Sequence, residues 1–298
     1  MLAAMLAFTG GCSPEDEPNN GGNNNGGETP EAPTGAISGV FSINENGGKV
    51  YFSQGNLQYQ ASTDTWRFAE HQYDCIEEDN ANISMDYSGW IDLFGWGTSG
   101  WDSGAVCYQP YSTSDDPAHY HPGGSWENDL TGEYANADWG VYCAISNGGQ
   151  QAGLWRSLTS TEWDFILGDS PNRANKWGFA TVDNRHGMVV LPDVWNLPNG
   201  LTFNSGFAEE WLTNVYTASD WARMEAAGAL FLPAVGHRND HGQLEHKGTH
   251  GNYWTSTANS NSFSYYVYFY VSYETFMSVS SNGFRRDGMS VRLVQDVD

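Results

Sequence analysis

Two helix-capping signatures and a series of short alternating strands predict an α+β domain: two helices with antiparallel sheets and long loop-rich insertions. The caps are Thr159-Ser160-Thr161-Glu162 and Thr217-Ala218-Ser219-Asp220, each with an acidic residue three places after a Thr. The strand signal is strongest near the C-terminal end, where Val267, Phe269 and Val271 alternate with Tyr266, Tyr268 and Tyr270. On a strand the first set faces a core and the tyrosines stand on the opposite face. Tyrosines so placed either form a recognition surface, with Ser and Asn as adaptable hydrogen-bonding neighbours, or pack beneath a loop.

Ahead of the domain, Leu2 to Phe8 is a short apolar run followed by Thr9-Gly10-Gly11-Cys12. It is far shorter than the ~20 apolar residues of a membrane span. It resembles the signal peptide and lipobox of a bacterial lipoprotein over residues 1–12, which implies lipidation at Cys12. Glu15, Asp16 and Glu17 resemble the export signal of surface lipoproteins of the Bacteroidetes type, which implies a surface-exposed outer membrane lipoprotein. Residues 13–36 are an acidic, Gly/Asn-rich stretch with too few apolar side chains to offset the entropy of ordering, so a disordered tether is expected. Residues 37–298 remain for one ligand-binding domain.

The elements follow in order. Lys49-Val50-Tyr51-Phe52-Ser53, Asn56-Leu57-Gln58-Tyr59 and Trp66-Arg67-Phe68 alternate around Gly55 and suggest an antiparallel meander. From Cys75 to Gly149 periodicity fades among Gly, Asp, Tyr and Trp; a loop this long is functional or packed by its own aromatics. The first cap opens a helix carrying Trp163, Phe165, Ile166 and Leu167, and the second opens one whose stripe is Trp221, Met224 and Ala227. Met188 to Leu191 and Ala229 to Ala234 read as buried strands, and Trp254 to Ala258, Tyr265 to Val271, Thr275 to Ser281 and Met289 to Val297 as a final set.

Charge and cysteines narrow the function. Against 36 acidic residues stand 12 Lys plus Arg, a formal charge of -24, which excludes the basic stripe that nucleic acid requires. Cys75, Cys107 and Cys143 show no metal-binding spacing and are read as unpaired thiols, with one disulfide as the alternative. His237, His241, His246 and His250 punctuate a Gly-rich loop whose composition argues against a shared helical face. Solvated histidines are expected there, with His237 and His241 the candidates if zinc binds. No cofactor is expected.

Trp155-Arg156-Ser157-Leu158-Thr159, Leu191-Pro192-Asp193, Leu232-Pro233-Ala234-Val235-Gly236, Tyr253-Trp254-Thr255-Ser256-Thr257 and Ser290-Val291-Arg292-Leu293-Val294 resemble the Fibrobacter major paralogous domain group. That group is related to the C-type-lectin-fold variable proteins of diversity-generating retroelements. The resemblance implies a C-type lectin-like fold with adjacent termini and a ligand surface built from a variable-like segment, residues 251–298. Adenine-directed mutation reaches a restricted residue set, to which Asn259, Ser260, Asn261, Phe263, Tyr266, Tyr268, Tyr270, Ser272, Tyr273, Phe276, Ser278, Ser280, Asn282, Phe284, Arg285, Arg286 and Asp287 belong. Glu274, Met277 and Met289 lie outside that set and are read as scaffold. The implied function is a surface receptor for an extracellular protein or glycan; a fixed-sequence carbohydrate-binding or adhesin module is the alternative. A third reading, an oxidoreductase resembling the formylglycine-generating enzymes, needs a C-terminal pair of cysteines, yet none follows Cys143. Gly123-Gly124-Ser125-Trp126 matches a motif of that superfamily but lies far upstream of its usual place, so a non-catalytic domain is expected.

Overall fold

The chain opens with β1 (Ala36–Ser42), β2 (Lys49–Ser53), β3 (Leu57–Gln60) and β4 (Thr65–Phe68), and a long loop then leads to α1 (Trp139–Tyr142) and α2 (Ser160–Leu167). The middle holds β5 (Trp177–Val182), β6 (Arg185–Val190), β7 (Val215–Tyr216), α3 (Ala218–Ala226) and β8 (Leu230–Pro233). The last part holds β9 (His237–Arg238), β10 (Leu244–Glu245), β11 (His250–Ala258), β12 (Phe263–Tyr270), β13 (Phe276–Phe284) and β14 (Val294–Asp296). The structure is a computed structural model and describes residues 31–82, 84–101, 110, 114–168, 173–206, 213–270 and 276–297. Cys12, Cys107, Ser272, Tyr273 and the tether up to residue 30 lie outside the described residues. Ala32–Asp298 form one compact unit, and β1 begins at Ala36, the last residue of the expected tether.

Few helices and several small, mostly antiparallel sheets make the domain α+β. Among the described residues the sheets run β1-β2-β14, β3-β4, β7-β5-β6-β8, β9-β10 and β11-β12-β13, with β5 and β7 parallel. Both capping boxes form. In α2 the Thr159 hydroxyl accepts from Glu162 N at 3.2 Å while the Glu162 carboxylate accepts from Thr159 N at 2.8 Å. In α3 Thr217 and Asp220 exchange the same pair at 3.1 and 3.4 Å. Trp221 and Met224 are buried, and Ala227 caps the C-terminal end of that helix.

The meander forms differently than expected. β3 and β4 pair antiparallel, but β2 pairs with β1 and β14 rather than with β3, and Gly55 between β2 and β3 sits against Ala69, where a Cβ would meet the carbonyl oxygen at 2.6 Å. The C-terminal segment runs alongside, its Leu293 and Val291 carbonyls accepting from Ser53 N and Leu57 N at 2.9 and 3.0 Å. Of the expected strand from Met289 to Val297, only β14 is a regular strand, because Met289 and Ser290 bridge singly to Phe94 and Tyr253. Arg156 clamps this end to α2, with bidentate bonds to Glu162 at 2.9 Å and to Asp296 at 2.7 and 3.0 Å.

Three apolar clusters result. One lies between α2, β1, β2, the β5-β6-β8 strands and the inner face of β11-β12-β13. The second is built from the long loop, with Trp96, Trp139 and Trp155 fully buried beside Trp254 and Met289, so that loop is packed by its own aromatics. The third sits under α3. Cys75 and Cys143 are free thiols, both pushed up in pKa by burial.

Candidate functional site

In the β11-β12-β13 sheet the register aligns His250, Asn252 and Trp254 with Tyr270, Tyr268 and Tyr266, and these with Phe276, Ser278 and Ser281. Directly paired residues share a face. Phe269 and Val267 are fully buried on the other face, and all three tyrosines are half-buried. Gly251 fixes this choice: a Cβ there would lie 2.0 Å from Phe269 Cζ, so the Phe269 ring occupies the space a side chain would need. β13 carries one extra residue between Ser278 and Ser281, a bulge that keeps Val279 toward the first core and leaves Ser280 exposed.

The tyrosine face is a continuous run of rings. Tyr266 to Tyr268 is 5.7 Å between centroids, Tyr268 to Tyr270 is 5.4 Å, and Tyr270 to Phe276 is 5.8 Å. Phe276 ends the run with 43% of its surface exposed. At the other end Tyr266 packs edge-on to Trp254 at 6.1 Å and belongs to the margin of the second core. The strand tyrosines are thus held in place by their ring neighbours.

Histidines extend the run sideways. His250 stacks on His246 at 4.0 Å and 10°, and His246 on His237 at 5.8 Å. His250 also lies 5.1 Å from the Tyr270 ring, with Nδ1 3.1 Å from the Tyr268 hydroxyl. The turn that presents them depends on left-handed backbone at His246 and Gly248 (φ 56 and 73°) and on the His246 carbonyl, which accepts from Thr249 N and His250 N. Burial, with neighbouring imidazoles, pulls the His250 pKa down to about 4. The unfolded chain therefore takes up a proton near pH 6.5 that the folded state refuses until about pH 4, so this site's stability falls as pH falls through that window. The melting-temperature advantage of wild type over His250→Gln is expected to shrink between pH 7 and pH 4; a constant gap would place His250 in a solvated, unstacked environment.

Of the metal candidates, His237 lies 3.5 Å from Glu245 and His241, exposed, 3.6 Å from Asp240. Among the described residues no group of three or more His, Cys, Asp or Glu side chains is placed to hold a metal ion.

The remaining expected residues divide between surfaces. Phe263 and Phe284 pair at 4.5 Å on the strand parity of Val267, opposite the tyrosines, and Phe284 is 39% exposed. Asn259 donates to Asn282 near the β11-β12 turn, and Asn261 offers its carbonyl to His121 Nε2 at 2.6 Å. Ser260 is half-buried and Asn282 exposed. Arg286 pairs with Asp240 at 2.8 Å and lies over Phe284. Asp287 is half-buried, its pKa raised to about 7 by burial despite Arg286.

Arg285 is a correction. It is 1% exposed and donates to the carbonyls of Tyr120, Trp126 and Phe263 at 3.1, 2.7 and 3.3 Å, with its guanidinium 4.3 Å from the Trp96 ring. It is a structural strut, not a ligand contact. It also explains the Gly123-Gly124-Ser125-Trp126 stretch, whose two glycines turn the chain at positive φ and deliver the Trp126 carbonyl to Arg285. Sequence reasoning missed His250 and Asn252 as members of the face; the alternation His250, Asn252, Trp254 carried the signal, but only strand pairing relates it to the tyrosines.

A family model described as a domain of unknown function, DUF8237, matches residues 207–294, which include α3, the histidine turn and the whole β11-β12-β13 sheet. No curated protein and no solved structure matches the chain.

Proposed function

We propose that the chain is a non-catalytic surface lipoprotein of the outer membrane, anchored at Cys12, whose C-type-lectin-like domain binds an extracellular protein or glycan. The observation that carries this reading is the continuous run of Tyr266, Tyr268, Tyr270 and Phe276 with His250 on one face of a sheet whose other face is core. Half-buried aromatics with polar handles are the usual anchors of recognition surfaces. The lectin-like reading draws support from β14 pairing with β2, whose other edge holds β1, so that one sheet joins the two ends of the domain, and from the long aromatic loop packed against the C-terminal sheet.

Glycan-array screening of the full chain tests the binding claim. Tyr268→Ser and Tyr270→Ser are expected to lose at least tenfold in affinity for any glycan retained, with a stability cost of about 1 kcal/mol, between that of exposed and core sites. Undiminished binding by both variants, in folded protein, would move the ligand off this face. Palmitate labelling that persists in Cys12→Ala would remove the anchor.

Arg285 favours a second reading, a fixed-sequence adhesin or carbohydrate-binding module. A position that holds three carbonyls inside the fold tolerates little diversification. A neighbouring reverse-transcriptase gene with a template copy of the last part of this gene would support the retroelement-diversified receptor instead.

A further inference from the structure

A cleft of about 610 Å³ opens between the β3-β4 hairpin, the segment around residues 70–76 and the β5-β6 turn, and shares no residue with the tyrosine face. Its volume lies within the range of small-molecule sites. Arg67 on β4 pairs across the hairpin with Gln58 on β3, and its Nε donates to the Gln58 carboxamide oxygen at 2.9 Å. Gln58 is only 2% exposed, so this anchor is rigid. The Arg67 guanidinium lies 3.7 Å over the Trp90 ring, which fixes its plane.

Glu70 and Asp74, on the same cleft, act on this guanidinium only through space, without a hydrogen bond. Neither terminal nitrogen of Arg67 has a hydrogen-bond or ion-pair partner among the described residues, although the chain carries 36 carboxylates. The other arginines are used: Arg156, Arg173, Arg185, Arg223 and Arg286 have carboxylate partners, and Arg238, Arg285 and Arg292 are buried on backbone carbonyls. A planar fork held in place with two free donors is built for a carboxylate. The same cleft is lined by Gln54, Glu70, Tyr73 and Asp183. Gln54 spends its amide nitrogen on the Ala69 carbonyl at 3.1 Å, leaving its oxygen as an acceptor. Asp183 sits in a tight turn with Asn184, both at positive φ, and among the described residues neither its carboxylate nor that of Glu70 is in a hydrogen bond or ion pair with a side chain, though Glu70 lies within electrostatic reach of Arg67 and both acids within reach of Tyr73. An anion alone would meet these acids unfavourably. A molecule with a carboxylate at one end and hydrogen-bond donors at the other satisfies both sides.

We propose that this cleft binds a small carboxylic acid that also carries hydroxyl or ammonium donors, its carboxylate on the Arg67 fork and its donors toward Glu70 and Asp183. Isothermal titration of the full chain with D-galacturonate, L-alanine, acetate and methyl galactoside tests it. Galacturonate or alanine is expected to bind at least tenfold more tightly than acetate and methyl galactoside, and which of the two acids binds distinguishes hydroxyl from ammonium donors. Arg67→Gln is expected to lose at least tenfold. Asp183→Asn, in an exposed turn where folding is not at stake, is expected to weaken the preferred acid severalfold. Equal binding of galacturonate and its neutral galactoside, binding unchanged by both substitutions, or no binding by any of the four compounds would overturn the proposal.

Discussion

Phe269→Ser is expected to cost on the order of 3 to 5 kcal/mol before the burial of a hydroxyl is counted, a large part of the 5–15 kcal/mol that holds a typical domain together. The ring is fully buried, lies over Gly251 and packs with Tyr253 and Phe179 at 6.3 and 6.0 Å. Serine would leave a void on that glycine, and neighbouring strands cannot collapse into it while the sheet register holds. Urea titration of Phe269→Ser beside Tyr270→Ser reads the effect directly. If the two variants unfold at the same denaturant concentration, the sheet is turned over and the tyrosines are the core.

Arg285→Ala is expected to be the second most damaging change, at about 2 to 4 kcal/mol, since it strands buried carbonyls and removes a cation from the Trp96 ring. Burial lowers the Arg285 pKa to about 10, so the cation persists at neutral pH. Its neighbour gives the contrast: Arg286 pairs with Asp240 nearer the surface, and Arg286→Ala is expected to cost below about 1 kcal/mol. Thermal melts of the two alanine variants separate strut from surface residue. Equal melting temperatures would mean that the loop holding Tyr120 and Trp126 is fastened by other contacts.

Those two arginines also mark where the sequence stopped being readable. Capping boxes at Thr159 and Thr217 and the parity of Tyr266 to Tyr270 are local codes, written within four or five residues, and they translate directly into helix starts and a two-faced strand. Nothing local distinguishes Arg285 from Arg286. The first turns inward because carbonyls from residues 120 and 126 and a ring from residue 96 wait for it, more than 150 positions earlier in the chain. β1, β5 and the pairing of β14 with β2 were hidden for the same reason, and His250 joined the candidate face only through its register with Tyr270. Phe263 and Phe284 were placed with the tyrosines by residue type alone, and strand parity moves them to the opposite side.

The closure of β1-β2 by β14 sets an order of events for the folding chain. β2 needs Val294–Asp296 on its open edge, and the carbonyls of Val291 and Leu293 accept from Leu57 and Ser53, so the first sheet is incomplete until residues 291–296 are present. A chain emerging from a ribosome N-terminus first thus keeps that sheet edge unpaired until β14 is released. Such late, long-range closure slows folding and prolongs exposure of apolar edges. It also means that the aromatic face, lying just upstream of β14, becomes available in its folded form only once β14 has been made and has paired with β2.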